Sequence, residues 1–582
     1  MSGTSSGPER AWTPAFPLDR LPEGGARVFR SGGDQVAVFR LEDGQIFAVD
    51  NRCPHEGYPL VQGTCKGAVL TCTWHNYKFD LRDGAAILGD EPVRTYGVRV
   101  VQGTVEVDLT APDLGPLRAR LWAGLAEGLS EYEIGRAARD AARLLASGVG
   151  PEEIVAFAAV YDAEHGPWGS THALPVAADV LTLLDRYPGM DAVLPLTQLM
   201  EIASFPHIRR PRRPTPEPVD PGPDAIAAGL RLRALIEDEQ AEAAEALVRG
   251  AVAAGWRRAE LEPWFFALCA DHFLDFGHAL IYQSKVFDLL DAVGWTHAPS
   301  VLGGFTTSIA LGTREDLLPG WAGARKRLSI IEADLPHLFE LQSTKLKAFD
   351  TDEVAALTRA VLDGAPADGF QAVLRALQAG APLARIVDGL SAAASERLLR
   401  FTVALDGQTE YQNSWLDVTH LLTFCEAVRA AVARYRSPDV LRLLFQAVHF
   451  IRRNAPLDGP RAPVTPVEAT PDDVLAHIRA QAAEAAVNAA AGLLAAGGRD
   501  ALRDRLIDVS VRDPATRAIV VAHVIKTTLA AFREAEAAQD PAPVLALVRF
   551  LASPRTERRV LRQAFDAVNL VAHGKIPHDL TG

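Results

Sequence analysis

Apolar and polar positions follow two different rhythms along this chain, and the change falls near residue 112. Before it, short runs such as Arg27-Val28-Phe29-Arg30, Gln35-Val36-Ala37-Val38-Phe39-Arg40 and Gln45-Ile46-Phe47-Ala48-Val49 are rich in β-branched and aromatic residues. They partly alternate apolar with polar and are separated by Gly-Gly-Asp and Glu-Asp-Gly turns, which predicts hairpins. Val98–Val101 and Thr104–Val107 flank Gln102-Gly103 as a further hairpin. From Pro116 onward the texture is Ala, Leu, Arg and Glu at helical spacing, as in Leu117, Leu121, Leu125 and Leu129, and almost nothing reads as strand. Two proline-rich stretches, 205–224 and 455–471, interrupt the helical pattern and read as surface connections. The arginines of the first, among them Arg209, Arg210, Arg212 and Arg213, read as a solvated linker, with an acidic partner as the alternative. The expected organisation is a tail over 1–15, a small all-β domain over 16–112, and a large all-α domain over 113–582.

Composition narrows the classes. At 48% hydrophobic and 23% charged residues, the 582-residue chain buries enough surface to fold. The formal net charge of −14 argues against nucleic acid or an anionic membrane as a partner. No apolar run is long enough for a transmembrane helix, and the polar start Met1–Pro8 lacks a signal-peptide core. A cytoplasmic protein is expected, in a reducing compartment where clustered cysteines mean metal more often than disulfide.

Cys53-Pro54-His55 is followed, after sixteen intervening residues, by Cys72-Thr73-Trp74-His75. Cys2His2 also suits zinc, but zinc fingers usually segregate the two cysteines from the two histidines, whereas here each pair is mixed. The C-x-H-x16-C-x2-H pattern, with Phe79, Asp80 and Gly84 after it, resembles the Rieske family. That resemblance implies a [2Fe-2S] cluster with Cys53 and Cys72 on one iron and His55 and His75 on the other. The loops lack the extra cysteines of respiratory Rieske proteins, which points to the ferredoxin or oxygenase branch. Asn76 stands where the family often has glycine, and Cys65 lies at no ligand position, so it is expected to be structural. The fold class implied is multidomain: a small all-β Rieske domain followed by a large all-α domain with internal helical repeats.

A Rieske cluster carries one electron and does not by itself transform a substrate. The Asp/Asn-x2-His-x3–4-His iron motif of ring-hydroxylating oxygenases is incomplete at Asp162, Asp275, Asp334 and Asp417. No histidine has glutamate three residues before it, which removes the main support for a diiron bundle. Four histidines instead recur in one local frame: His172, His278, His420 and His523, each preceded by threonine or a small residue and followed by two apolar ones. Their separations of 106, 142 and 103 residues suggest internal duplication. Converging between helices, their imidazoles would hold mononuclear non-haem iron, and packed core histidines are the alternative. Asp275 and Asp417, three residues before their histidines, are candidate acceptors for imidazole N–H groups. Lys526, three residues after His523 in an apolar run, is a candidate ligand if burial leaves it neutral and carbon dioxide converts it to a carbamate; a solvated ammonium is the alternative. His165, His272 and His449 are expected to be structural or supporting.

Phe276–Tyr282, Trp415–Phe424 and His523-Val524-Ile525-Lys526 resemble the questin oxidase-like family of aromatic-polyketide oxygenases. This resemblance implies a helical fold, histidine-bound iron, dioxygen and oxidation of a quinone-like ring; the N-terminal Rieske module departs from it. The reading is an oxygenase in which His55 or His75 passes an electron toward iron at His172, His278, His420 and His523. A separate NAD(P)H reductase or a ferredoxin is the expected donor, because no dinucleotide-binding strand-turn-helix unit is evident. Trp264, Phe265, Phe266, Phe276 and Tyr282 would line a substrate pocket or simply fill the core. The alternative from another class is a Rieske ferredoxin fused to a metal-free helical scaffold.

Overall fold

In a computed structural model describing residues 10–407, 414–512 and 518–554, the chain divides into two compact units, Met1–Leu125 and Ala126–Gly582. The division falls beyond residue 112 because the first helix, Leu114–Ser130, runs through it.

The first unit contains three antiparallel sheets. Strands β1 (Trp12–Pro17), β2 (Ala26–Ser31), β3 (Asp34–Arg40), β4 (Ile46–Asp50), β5 (Thr64–Lys66), β6 (Val69–Thr71), β7 (Lys78–Asp80), β8 (Ala86–Leu88), β9 (Thr95–Tyr96), β10 (Val98–Val101) and β11 (Thr104–Asp108) form them in the orders β1-β11-β10, β2-β3-β4-β9 and β5-β6-β7-β8. Residues 12–15, expected to be tail, belong to β1, which pairs with β11; residues 1–9 lie outside the described ones. Strand β3 reads as continuously apolar over Val36-Ala37-Val38-Phe39 because both its faces are buried. Val36 and Val38 join a core with Val105 and Val107. Ala37 and Phe39 join another that includes Cys53, Cys72, Leu70 and Phe79. The second core is the floor on which the two cysteine loops rest.

The regular elements of the second unit's described residues are all helices, apart from the isolated bridges Leu274–Arg314 and Phe401–Asp458. Among these helices are α1 (Pro151–His165), α2 (Ala173–Leu183), α3 (His278–Val293), α4 (Ala322–Ile331), α5 (Pro366–Ala379), α6 (Trp415–Arg434), α7 (Val440–Arg453) and α8 (Ala518–Ala538). Helices α2, α3, α6 and α8 pack in sequence around one interior: α2 on α3, α3 on α6, α6 on α8, and α8 back on α2.

The proline-rich connections are docked rather than loosely solvated. Val219 N–H donates to the Ala246 carbonyl, and Val467 N–H donates to the Asn488 carbonyl. In each case a glycine on the receiving helix, Gly250 or Gly492, leaves room for the backbone of the connection. The two connections therefore dock alike, in line with internal duplication. The acidic partners of the arginines lie in the same unit: Arg209 meets Glu131, Arg212 meets Glu164, and Arg213 meets the buried Glu245.

Candidate metal centres

The two cysteine loops are copies of one backbone device. In the first, Cys53 N–H donates to the Tyr58 carbonyl at 2.9 Å and Gly57 N–H donates to the Cys53 carbonyl at 2.8 Å. In the second, Cys72 N–H donates to the Tyr77 carbonyl at 2.8 Å and Asn76 N–H to the Cys72 carbonyl at 3.1 Å. Both loops need a left-handed residue four places after the cysteine; Gly57 has φ 76° and Asn76 has φ 60°. Asparagine tolerates that conformation better than most side chains, so the departure at Asn76 keeps the loop closure. Gly84 holds the following turn at φ 79°, where a Cβ would strike the Val93 carbonyl.

Cys53 and Cys72 are buried and form no disulfide. Burial pushes the Cys53 thiol up to about 11, with the neighbouring Cys72 adding to the effect. A bare thiol there stays protonated at neutral pH, and a cation is what would make it a thiolate ligand. The imidazoles lie on the outer side: His55 Nδ1 and His75 Nδ1 stand 3.1 Å apart, with His75 exposed and His55 half-buried. Trp74 beside them is 59% exposed and stacks on Tyr58. Two inner sulfurs and two outer nitrogens fit an iron–sulfur pair with unlike ends. Cys65 sits apart on β5, exposed.

Elsewhere, the helical unit draws its four repeated histidines together. His278 Nε2 lies 2.7 Å from His420 Nε2, and His523 Nε2 lies 3.2 Å from His172 Nε2. The His420 and His523 ring centroids are 4.4 Å apart, and those of His172 and His278 are 4.7 Å apart. His172 caps α2 and His278 opens α3, whereas His420 and His523 sit in the second turns of α6 and α8.

Hydrogen bonding assigns the tautomers. His278 Nδ1–H donates to Asp275 Oδ2 at 3.1 Å, which leaves Nε2 with a lone pair. The Thr419 hydroxyl donates to the Leu416 carbonyl and accepts from His523 Nδ1–H at 2.9 Å, which leaves the Nε2 of His523 likewise bare. Burial, reinforced by neighbouring positive groups, holds His172, His420 and His523 well below the ordinary imidazole range. The Nε2 lone pairs of His278 and His523 face His420 and His172 at distances that suit either an N–H donated by the facing neutral ring or a cation bound between them. Two nitrogens each about 2.1 Å from one ion and at right angles stand about 3 Å apart, close to the two separations found.

Lys526 is fully buried, and its Nζ has no hydrogen-bond partner among the described residues. Burial lowers its ammonium to about 7, so a solvated surface lysine is excluded. Its charge bears on His172, His420 and His523.

The turn before His278 is strained. Asp275, Phe276 and Gly277 are left-handed in succession, with φ of 46°, 55° and 81°. Asp275 N–H donates to the Thr313 carbonyl, and Phe276 N–H to Glu315 Oε1, at 2.9 and 2.8 Å. Asp275 thus stands beside its histidine as expected. Asp417 does not: it accepts from Ser414 N–H at 2.7 Å and caps the start of α6. Two supports escaped sequence reasoning. Thr419 orients His523. Fully buried Asp162 accepts from Thr171 N–H at 2.8 Å and from His207 Nε2 at 3.0 Å, tying down the residue before His172.

Phe276 stacks 6.2 Å from His420, and Tyr282 lies 5.3 Å from His278. Trp264, Phe265 and Phe266 are core residues, packed on Trp256, Phe305 and Tyr435 respectively. His165 bonds the Tyr161 carbonyl, His272 pairs with Glu237, and His449 packs on Trp321; none joins the four.

Comparison with known proteins places the first unit. Residues 11–100 match the Rieske [2Fe-2S] domain family. The chain is 33% identical over 100 residues to the anthranilate 1,2-dioxygenase ferredoxin subunit of Burkholderia cepacia, covering 17% of this chain and 92% of that protein. It is 35% identical over 97 residues to a 4beta-methylsterol monooxygenase of Methylococcus capsulatus, covering 15% of this chain and 26% of that one. It is 34% identical over 90 residues to a cholesterol 7-desaturase of Hemicentrotus pulcherrimus, covering 15% and 19%. The chain therefore spans about a quarter or less of the monooxygenase and the desaturase.

Proposed function

The chain belongs to the Rieske [2Fe-2S] family through residues 11–100, and from that premise we propose that it is an oxygenase with its electron-transfer domain and its oxygen-reactive metal centre on one polypeptide. Cys53 and Cys72 would hold the inner iron of the cluster, and His55 and His75 the outer one. His172, His278, His420 and His523 would hold a mononuclear non-haem iron. The observation that carries the reading is the pair of short Nε2–Nε2 separations among four imidazoles, two buried and two half-buried, drawn from the first two turns or the cap of four helices. The cluster supplies single electrons and the second iron supplies dioxygen activation.

This chain's own residues do the rest. Asp275 and Thr419 hold His278 and His523 in the tautomers that aim Nε2 at the shared centre. Neutral Lys526 reacts with carbon dioxide to form an N–C bond, releases a proton, and becomes an anionic carbamate that neutralises part of the metal charge. Phe276 and Tyr282 wall the approach to His278 and His420 and would bind a flat, ring-containing substrate of the aromatic or polyketide-like class. Trp74 and the exposed imidazole edge of the cluster loops offer a docking face for a separate reductase or ferredoxin. No helix of the described residues is long and apolar enough to cross a membrane.

Iron quantification with EPR tests the proposal on wild type and on the His278→Ala/His420→Ala double variant. Three irons per chain in wild type, falling to two with an unchanged reduced-cluster signal, is the expected result. Two irons in both proteins would favour the second reading, a Rieske ferredoxin fused to a metal-free helical scaffold. That reading draws on the near-complete coverage of a stand-alone ferredoxin subunit.

A further inference from the structure

Further along the four helices that carry the histidines lies a second polar layer, built from one charged residue of each. Asp179 stands on α2, Lys285 on α3, Glu426 on α6 and Arg533 on α8. Lys285 Nζ donates to both Asp179 oxygens, at 2.7 and 2.6 Å, and lies 4.0 Å from Glu426 Oε2. Arg533 Nη1 donates to Glu426 Oε1 at 2.6 Å and lies 3.6 Å from Asp179 Oδ1. Lys285, Asp179, Arg533 and Glu426 thus close a ring of alternating sign, and their formal charges cancel. The ring follows the order in which the helices themselves pack, α3 on α2, α2 on α8, α8 on α6 and α6 on α3.

The ring keeps a set distance from the histidines. Asp179 follows His172, and Lys285 follows His278, by seven residues; Glu426 follows His420 by six. At 1.5 Å per residue that is roughly 9–11 Å, or about two turns. Arg533 is ten residues past His523, and helical side chains lean toward the N-terminus, so its long arm reaches back to the others. Seven residues is close to two full turns, so Asp179 and Lys285 share a face with their histidines. Any slide or rotation of α2 against α3 therefore moves both together. Lys526 is within electrostatic reach of both layers: it acts on His172, His420 and His523, and Lys285 and Asp179 act on it. Asp179 and Lys285 are buried, Glu426 is half-buried and Arg533 is exposed. Buried ion pairs add little net stability over apolar packing of the same volume. What they add is direction, because a lysine held by both oxygens of one carboxylate has few positions to occupy.

We propose that Asp179, Lys285, Glu426 and Arg533 are positioning residues for the four histidines: their ring locks the rotation and axial register of α2, α3, α6 and α8, and so fixes where the four imidazoles meet. The inference rests on the reading of those histidines as an iron site.

Iron binding by the full chain, in wild type and in Asp179→Leu/Lys285→Met, tests it. The double variant removes a whole ion pair and leaves Glu426 with Arg533, so its melting temperature should match or exceed that of wild type. Its iron affinity outside the cluster, read by competition with a chelator, should fall about 10–100-fold, the range for groups that orient ligands. Its mononuclear ferric EPR signal should change shape while the reduced-cluster signal stays as it was. Lys285→Arg keeps the charge and the two-oxygen contact and should retain the wild-type signal and affinity. If the double variant does not fold, Glu426→Gln decides, since it weakens two contacts of the ring and should lower iron affinity severalfold. Wild-type affinity and ferric signal in the folded double variant, or in Glu426→Gln where that decides, would overturn the positioning role alone, as would a loss in Lys285→Arg equal to the double variant's. Two irons per chain in wild type would overturn the iron site and the positioning role with it.

Discussion

Gly277→Ala is the substitution through which the four-histidine geometry is most exposed to test. Gly277 immediately precedes His278 and adopts φ 81°. An alanine there pays the left-handed penalty of about 1–2 kcal/mol. Its Cβ would also lie 2.5 Å from Phe424 Cδ2 and 3.1 Å from Cε2, an overlap that overpacking data put at about 1–3 kcal/mol. The sum is about 2–5 kcal/mol, and the ring cannot yield freely, because Phe424 is packed on Phe273 and Phe450. Phe424 lies one helical turn after His420, so relief by moving α6 displaces His420, while relief by moving the turn displaces His278. Either path separates nitrogens that now stand 2.7 Å apart. Thermal unfolding followed by circular dichroism should show a destabilised helical unit, and iron analysis should show loss of the iron outside the Rieske cluster with the cluster's EPR signal retained. Gly320→Ala is the control, since its Cβ meets open space and it has no left-handed φ. A Gly277→Ala protein with wild-type melting and wild-type iron would refute the reasoning.

Three further outcomes are expected. In metal-free protein the folded pKa of Lys526, about 7, lies below its unfolded value of 10.5, so the unfolded state binds more protons between them and wild-type stability rises with pH across that window, by up to about 5 kcal/mol. Lys526→Met should abolish that rise and be the more stable protein at pH 7; denaturant titrations at pH 7 and 9.5 check it, and an unchanged slope would show that the lysine is not buried as an ammonium. Thr419→Val removes the acceptor for His523 Nδ1–H and should weaken iron affinity at the four histidines about 10–100-fold with little change in melting, read by competition with a chelator. Cys72→Ser should remove the visible absorbance and two irons per chain while leaving helical circular dichroism intact; retention of the chromophore would contradict the ligand assignment.

The strands were legible because their period is local. The β-branched and aromatic runs of β2, β3, β4 and β10, the alternation of β11 and the turn residues between them are read within ten residues, and the cluster loops likewise carry both ligands and closure within six. The helical candidates were legible as a recurring frame, but not what supports them. Thr419 reaches His523 across 104 residues, and Asp162 reaches Thr171 and His207 across 9 and 45. The rule of an aspartate three residues ahead succeeded at Asp275, which stands in a left-handed turn before its helix and can fold back on His278. It failed at Asp417, which is already inside the first turn of α6, where backbone N–H groups lacking helical partners compete for its carboxylate. Trp264, Phe265 and Phe266 were as apolar as any pocket wall, and apolarity alone does not separate a wall from a core.

Taken alone, the chain of residues determined the two textures, the place where one yields to the other, and the Cys-x-His and Cys-x2-His loops, since each depends on neighbours a few bonds away. Tertiary structure alone decided that four imidazoles separated by more than a hundred residues at each step face one another, and that Lys526 is sealed with no hydrogen-bond partner among the described residues. These are consequences of helix packing, in which the summed burial of many apolar side chains sets positions that no single stretch of sequence encodes.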